Sequence, residues 1–198
     1  PLQHRTGNGY VYASPFISDE DAQAELLGHL QEEPLSPPRV FRFRAGPRRK
    51  IWYKNCFALG LASGFLEPLE STSISLIQTG ISKLLEFFPL SHINEHDQAE
   101  VNRRHHHEFE RLRDFLVLHY KTTAREDTPF WRHCQAMPIP DTLAHKLELF
   151  RQRGHILQLE PEAFEADSWL AVYWGMGQIP RHYDVRADVP AAEPLMQE

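Results

Sequence analysis

Apolar residues at Ile74, Ile77, Ile81, Leu84, Leu85 and Phe88 recur every three or four positions, the interval that lines one face of an α-helix. A short apolar, strand-like run, Asn55 to Leu59, precedes them, followed by a turn carrying Gly60 and Gly64. The stretch therefore reads as strand, glycine turn and helix, with Ser71, Thr72 or Ser73 as the N-cap.

The same pattern extends in both directions. Gly7-Asn8-Gly9 followed by Tyr10-Val11-Tyr12 predicts a hairpin. Ser18-Asp19-Glu20 opens a helix through Leu30, with Ala22, Leu26, Leu27 and Leu30 on one side. After a proline-rich linker, 34–38, Phe41 and Phe43 alternate with Val40, Arg42 and Arg44 as in a half-buried strand. Gly46-Pro47 turns into a second strand, 50–59. Residues 97–120 predict a long helix burying Val101, Phe109, Leu112, Phe115 and Leu116, with its charges, including Glu108, on a solvated face. Thr128 caps a short helix with Pro129 in its first turn, and a further helix runs from Asp141 to Arg153 and stops at Gly154. The last helix spans 161–175, and beyond Ala187 the chain is Pro/Ala/Glu-rich and expected to be loose.

Composition narrows the function. Of 198 residues 41% are hydrophobic and the net charge is −6 with no long basic block, which argues against a nucleic-acid surface. No apolar run is long enough to span a bilayer, so a cytoplasmic protein is expected. Cys56 and Cys134, far apart, read as buried thiols of a reducing compartment. His105-His106-His107 reads as a solvated helix face, with no metal site expected. The basic group Arg42, Arg44, Arg48, Arg49 and Lys50 reads as protection of a hairpin edge, ahead of a phosphate site.

Two stretches carry candidate chemistry. Glu70 sits at the mouth of the helix that follows the glycine turn, where free backbone N–H groups and the dipole favour an anion. A ligand-free turn with a dipole-stabilising carboxylate accounts for these residues equally well. In His119 to Gln135, Tyr120, Glu126, Phe130 and Trp131 together can wall a pocket: the aromatics stack a flat ring, Glu126 binds a cation or N–H, and Tyr120 donates a hydrogen bond. Core anchoring by Phe130 and Trp131 beside a solvated turn is the competing reading.

The string Gly60-Leu61-Ala62-Ser63-Gly64-Phe65-Leu66-Glu67-Pro68-Leu69-Glu70-Ser71-Thr72 resembles the second flavin-contacting motif of flavin-dependent halogenases of the tryptophan halogenase type, a branch of the flavoprotein monooxygenases. Arg125-Glu126-Asp127-Thr128-Pro129-Phe130-Trp131-Arg132 resembles the segment lining their substrate pocket, and Pro1 to Tyr12 resembles the continuation of their Trp-x-Trp-x-Ile-Pro signature. With no Gly-x-Gly-x-x-Gly present, the resemblance implies the C-terminal portion of a longer chain. The implied fold is an α+β fragment. Residues 1–88 would end a flavoprotein-monooxygenase-like α/β domain with few strands and a long helix, and residues 89–198 would form a mostly helical substrate-binding domain.

In that family FAD, as FADH2 supplied by a separate flavin reductase, drives oxidation of chloride or bromide to hypohalous acid, which halogenates an aromatic substrate. The resemblance implies that Glu70 is catalytic, that backbone amides of Thr72 and Ser73 hold the halide, and that Leu61 and Ile74 contact the flavin. His119, Tyr120, Glu126, Phe130, Trp131 and Gln135 would touch a tryptophan or other indole-type substrate. Histidine and lysine in His119-Tyr120-Lys121, where members acting on free tryptophan tend to have paired aromatics, imply a wall of different polarity. A homodimer is compatible with this reading, and the isolated chain is expected to be inactive. The alternatives are a non-halogenating flavoprotein monooxygenase or reductase, and a non-catalytic helical binding module.

Overall fold

The computed structural model describes residues 3–160, 162–183 and 185–188. Among these residues six α-helices carry the fold: α1 (Asp19–Gly28), α2 (Ser73–Glu86), α3 (Glu95–Thr122), α4 (Pro129–Ala136), α5 (Asp141–Arg153) and α6 (Ala166–Gly175). The strands are two residues each: β1 (Gly46–Pro47), β2 (Trp52–Tyr53), β3 (Cys56–Phe57) and β4 (Gly64–Phe65). They form two antiparallel ladders, β1 with β4 and β2 with β3.

The helix ends follow from local chemistry. Ser18 accepts from the Asp21 N–H at the start of α1, Asn94 from the His96 N–H at α3, and Thr128 from the Trp131 N–H at α4, each supplying an acceptor to a free first-turn donor. Gly154 ends α5 at φ 66°, a left-handed conformation that costs glycine little.

The 28-residue α3 is the axis of the molecule, and three apolar clusters lie along it. Near its start Val101 packs with Ile51 and Trp52. At its middle Phe109, Leu112 and Leu116 receive Leu66. Towards its end Phe115 and Leu118 join Leu143, Leu147, Phe150, Trp169 and Tyr173 from α5 and α6. Each buried Leu or Phe contributes about 2 kcal/mol of transfer free energy. Asn102 clasps the β2 backbone, accepting from the N–H groups of Ile51 and Trp52 at 2.7 and 3.0 Å and donating to the Trp52 carbonyl at 2.9 Å.

The first third departs from the sequence pattern. Residues 10–12 and 39–44 form no strand, and Phe41 is 77% exposed. A strand needs a ladder partner, and the described residues offer these two segments none; pairing begins only at Gly46-Pro47, predicted as a turn. The strand predicted at 50–59 is a hairpin, because Lys54 adopts φ 52° and reverses the chain between β2 and β3. Cys56 is exposed, whereas Cys134 is buried as expected. His105 is buried and its Nε2 donates to the Ser63 carbonyl at 3.1 Å, so the histidine run is not wholly solvated. Glu108 is also buried, paired with Lys83 of α2 at 2.6 Å. The last helix starts at Ala166, five positions later than predicted. Pro1, Leu2, Pro161, Asp184 and the tail 189–198 lie outside the described residues.

The apolar stripe of α2 faces outward. Ile74, Ile77, Ile81, Leu85 and Phe88 are exposed and Leu84 is half-buried, while the helix meets the rest of the chain through Leu76, Gly80 and Lys83. A side chain at Gly80 would collide with Leu59 at 2.7 Å.

Candidate functional site

The site begins at the glycine turn. Gly60 and Gly64 both take positive φ, 60° and 149°. A Cβ on Gly64 would lie 2.8 Å from the Gly46 carbonyl, Pro47 and the Phe109 ring, so only glycine lets this segment lie between β1 and α3. The Ser63 carbonyl accepts from Arg48 N–H at 2.8 Å as well as from His105, which pins the turn from two sides. Burial favours the neutral imidazole and pushes the His105 pKa down.

Leu66, buried against α3, starts the loop that carries the acid. Two residues of this loop, Glu70 (φ 66°) and Ser71 (φ 54°), are left-handed without being glycine. Each costs about 1–2 kcal/mol and persists only where the surroundings enforce it. The enforcement comes from consecutive residues of α3. Glu67 accepts a short hydrogen bond from the Tyr120 hydroxyl, and Glu70 Oε1 lies 3.1 Å from His119 Nε2. Burial, with the Glu67 bond second, pushes the Tyr120 phenol well above its ordinary value. His119 is oriented in turn by Nδ1, 2.8 Å from the Phe115 carbonyl, and by the Phe115 ring edge at 5.0 Å.

The next element is the N-terminus of α2. Thr72 is 5% exposed, its hydroxyl has no hydrogen-bond partner among the described residues, and no side chain caps the helix. Ser73 beside it is exposed. The first turn therefore offers free donors next to Glu70, the chemistry an anion requires. Leu61 and Ile74, 76% and 70% exposed, flank this mouth as bare apolar side chains. An uncovered apolar pair beside a glycine turn fits a flat cofactor ring.

The aromatic wall is assembled by α4. Capping by Thr128 sets Phe130 and Trp131 over Tyr120. The Tyr120 and Trp131 rings are near parallel at 5.8 Å and 18°, and Phe130 meets Trp131 edge-on at 5.0 Å. The Arg125 guanidinium lies 4.4 Å over Trp131, and Phe16 meets Phe130 edge-on at 5.5 Å. Glu126 is exposed on the connecting loop. Gln135 donates from its amide to the carbonyls of Thr123 and Arg125, both at 2.9 Å, and so shapes that loop. Lys121 ties α4 down by donating to the carbonyls of Gln135 and Met137 at 2.6 and 2.8 Å. Its ammonium is thereby held at the C-terminal end of α4.

The structure thus brings together Glu70, Thr72, Ser73, His119, Tyr120, Phe130 and Trp131, and puts His119 on Glu70. Sequence reasoning missed Glu67 and Phe16. Glu67 was legible only as a second carboxylate three positions before Glu70 facing adjacent polar residues on α3; Phe16 had no signal. The basic group divides: Arg42 pairs with Asp19 and Arg48 donates to the Ala62 carbonyl. Arg49 and Lys50 line a broad groove of about 1350 Å³ between the β2–β3 hairpin and the start of α3, which contains none of the predicted site residues.

These features match one class of fold. The chain aligns with BrvH, a flavin-dependent halogenase from Brevundimonas sp. BAL3, at a TM-score of 0.86 and 47% identity over 91% of this chain and 37% of that one. It is 38% identical over 157 residues to the 7-chloro-L-tryptophan 6-halogenase KtzR of Kutzneria sp. (strain 744), and 36% identical over 153 residues to the tryptophan 7-halogenase RebH of Lentzea aerocolonigenes. Each alignment covers 76% of this chain, but only 30% of KtzR and 29% of RebH, so the chain spans about a third of its relatives' length. The tryptophan halogenase family pattern matches residues 1–192, and the chain belongs to that family.

Proposed function

We propose that this chain is the C-terminal portion of a flavin-dependent halogenase acting on an indole-type aromatic. The hydrogen-bonded Glu70 at the open N-terminus of α2, on the aromatic side of α3, carries the reading. Leu61 and Ile74 would contact the flavin, whose reduced form, with oxygen, supplies the oxidising power that turns halide into hypohalous acid. The amides of Thr72 and Ser73 would hold the halide, a spherical anion suited to backbone donors. Tyr120, Phe130, Trp131 and Glu126 would border the substrate, with Gln135 shaping the loop between them.

The protein's own contribution to the ring reaction is charge and proton handling. The aromatic carbon bonds to halogen as the oxygen–halogen bond breaks, and the ring becomes cationic. The Glu70 carboxylate stabilises that charge and takes the ring proton; the departing hydroxide is neutralised to water by the proton that the site then releases. Residues 1–88 would then complete the flavin-binding part and 89–198 the substrate part, with a separate flavin reductase as partner.

The test is Glu70→Gln in the full-length protein, given a flavin reductase, halide and a panel of indoles. Halide-dependent mass shifts of the product are expected for the native protein, with a loss of about 10²–10³-fold in the variant. Undiminished turnover in the variant would favour a flavoprotein that uses no halide, or a binding module.

A further inference from the structure

We propose that Glu70 and His119 hold one proton between them, so that the acid of the site is a carboxylate–imidazole unit of zero net charge. His119 is thereby a positioning residue for loss of the ring proton; this catalytic part rests on the halogenase reading, and the shared proton does not.

The argument is a proton count. His119 Nδ1 lies 2.8 Å from the Phe115 carbonyl oxygen, an atom that can only accept, so Nδ1 carries hydrogen. A neutral imidazole has a single N–H, and it is used there. Nε2 then faces Glu70 Oε1 at 3.1 Å, and without a further proton two lone pairs would oppose each other. The gap therefore holds one, as imidazolium N–H to carboxylate or as carboxyl O–H to nitrogen, and the pair is neutral either way. Moving hydrogen from Nδ1 to Nε2 would set a bare nitrogen against the Phe115 carbonyl. The ring is held for this by its own helix turn and by Phe115, which is stacked on Phe164 at 4.0 Å. The other titratable neighbours, Glu67 and Tyr120, are bonded to each other.

Two effects follow at the site. Oε1 is occupied, which leaves Oε2 of Glu70 as the acceptor for the ring proton. When the C–H bond breaks its electron pair returns to the ring, the unit then carries two protons and a net positive charge, and one proton leaves to solvent to restore it. In addition, a neutral unit beside the Thr72 and Ser73 amides does not repel a halide as a bare carboxylate would.

The test uses the full-length protein labelled with 15N-histidine. Long-range 1H–15N spectra are expected to show a protonated Nδ1 at His119 and a downfield proton in the contact with Glu70. In Glu70→Gln, whose amide donates to Nε2 with its own N–H, the downfield proton disappears and Nδ1–H remains. A bare Nδ1 with hydrogen on Nε2 in the native protein, or no downfield proton lost on substitution, overturns the shared proton. The positioning role is tested with His119→Gln, which still donates to Glu70 but supplies no titratable proton. Turnover is expected to fall about 10–100-fold, with a primary isotope effect appearing for substrate deuterated at the halogenated carbon and KM unchanged within about 2-fold. Native turnover without an isotope effect in this variant overturns the role. Absence of any halogenated product from the native protein would refute the halogenase reading, while the spectra still decide the proton.

Discussion

Glu70 and Ser71 show how a site is held against its own backbone preference. Their left-handed conformations are tolerated because Glu67 and Glu70 are each tied to α3, by Tyr120 and His119. Tyr120 makes this testable by pH. Its folded phenol is held above the ordinary value of 10.0 by burial and then by Glu67, so its contribution is complete below pH 10 and is lost as pH climbs through the raised value. Urea unfolding between pH 7 and 11 should show a falling alkaline limb that Tyr120→Phe flattens. At neutral pH the same variant should be less stable by about 1–2 kcal/mol, since Glu67 loses its donor. The residues themselves were legible in part: Glu70 stood out at a helix mouth, but its contact with His119 joins positions 49 apart and leaves no local trace.

At the scale of elements, the helices were legible because their signals are local. Ser18, Thr128 and Gly154 are caps that act within a turn, and the buried face of α3 repeats at helical spacing. Strand character was legible at 50–59, where the β2–β3 ladder forms, but the β1–β4 ladder was not, because it is two residues long and joins Gly46-Pro47 to Gly64-Phe65, segments that carry no strand composition. What dictates that pairing is Gly64, so Gly64→Ala should cost about 2–3 kcal/mol, read as a lowered melting temperature, because the new methyl meets backbone atoms that cannot yield. For α2 the period was right and the side was not: most of its apolar stripe is turned away from the described core, and Leu76, Gly80 and Lys83 make the contact.

At the scale of the molecule that outward stripe is an apolar feature of the described surface. Ile74, Ile77, Ile81 and Leu85 lie on one helix with Leu61 exposed beside its start, an apolar patch of the kind that marks an interaction surface. The chain is therefore expected to bind the dye ANS, and the triple variant Ile77→Lys, Ile81→Glu, Leu85→Lys should lower that fluorescence several-fold. Its unfolding free energy should fall by about 1–3 kcal/mol, because Ile77 and Ile81, 36% and 42% exposed, keep more than half of their surface covered. Unchanged fluorescence would assign the patch elsewhere.

The unbroken run of α3 sets a mechanical link between the β2–β3 hairpin and the acid of the site. Asn102 grips the β2–β3 hairpin and His119 grips Glu70, and the helix spans the roughly 25 Å between them at about 1.5 Å per residue. Whatever tilts the hairpin must therefore either bend that rod or swing the acid with it.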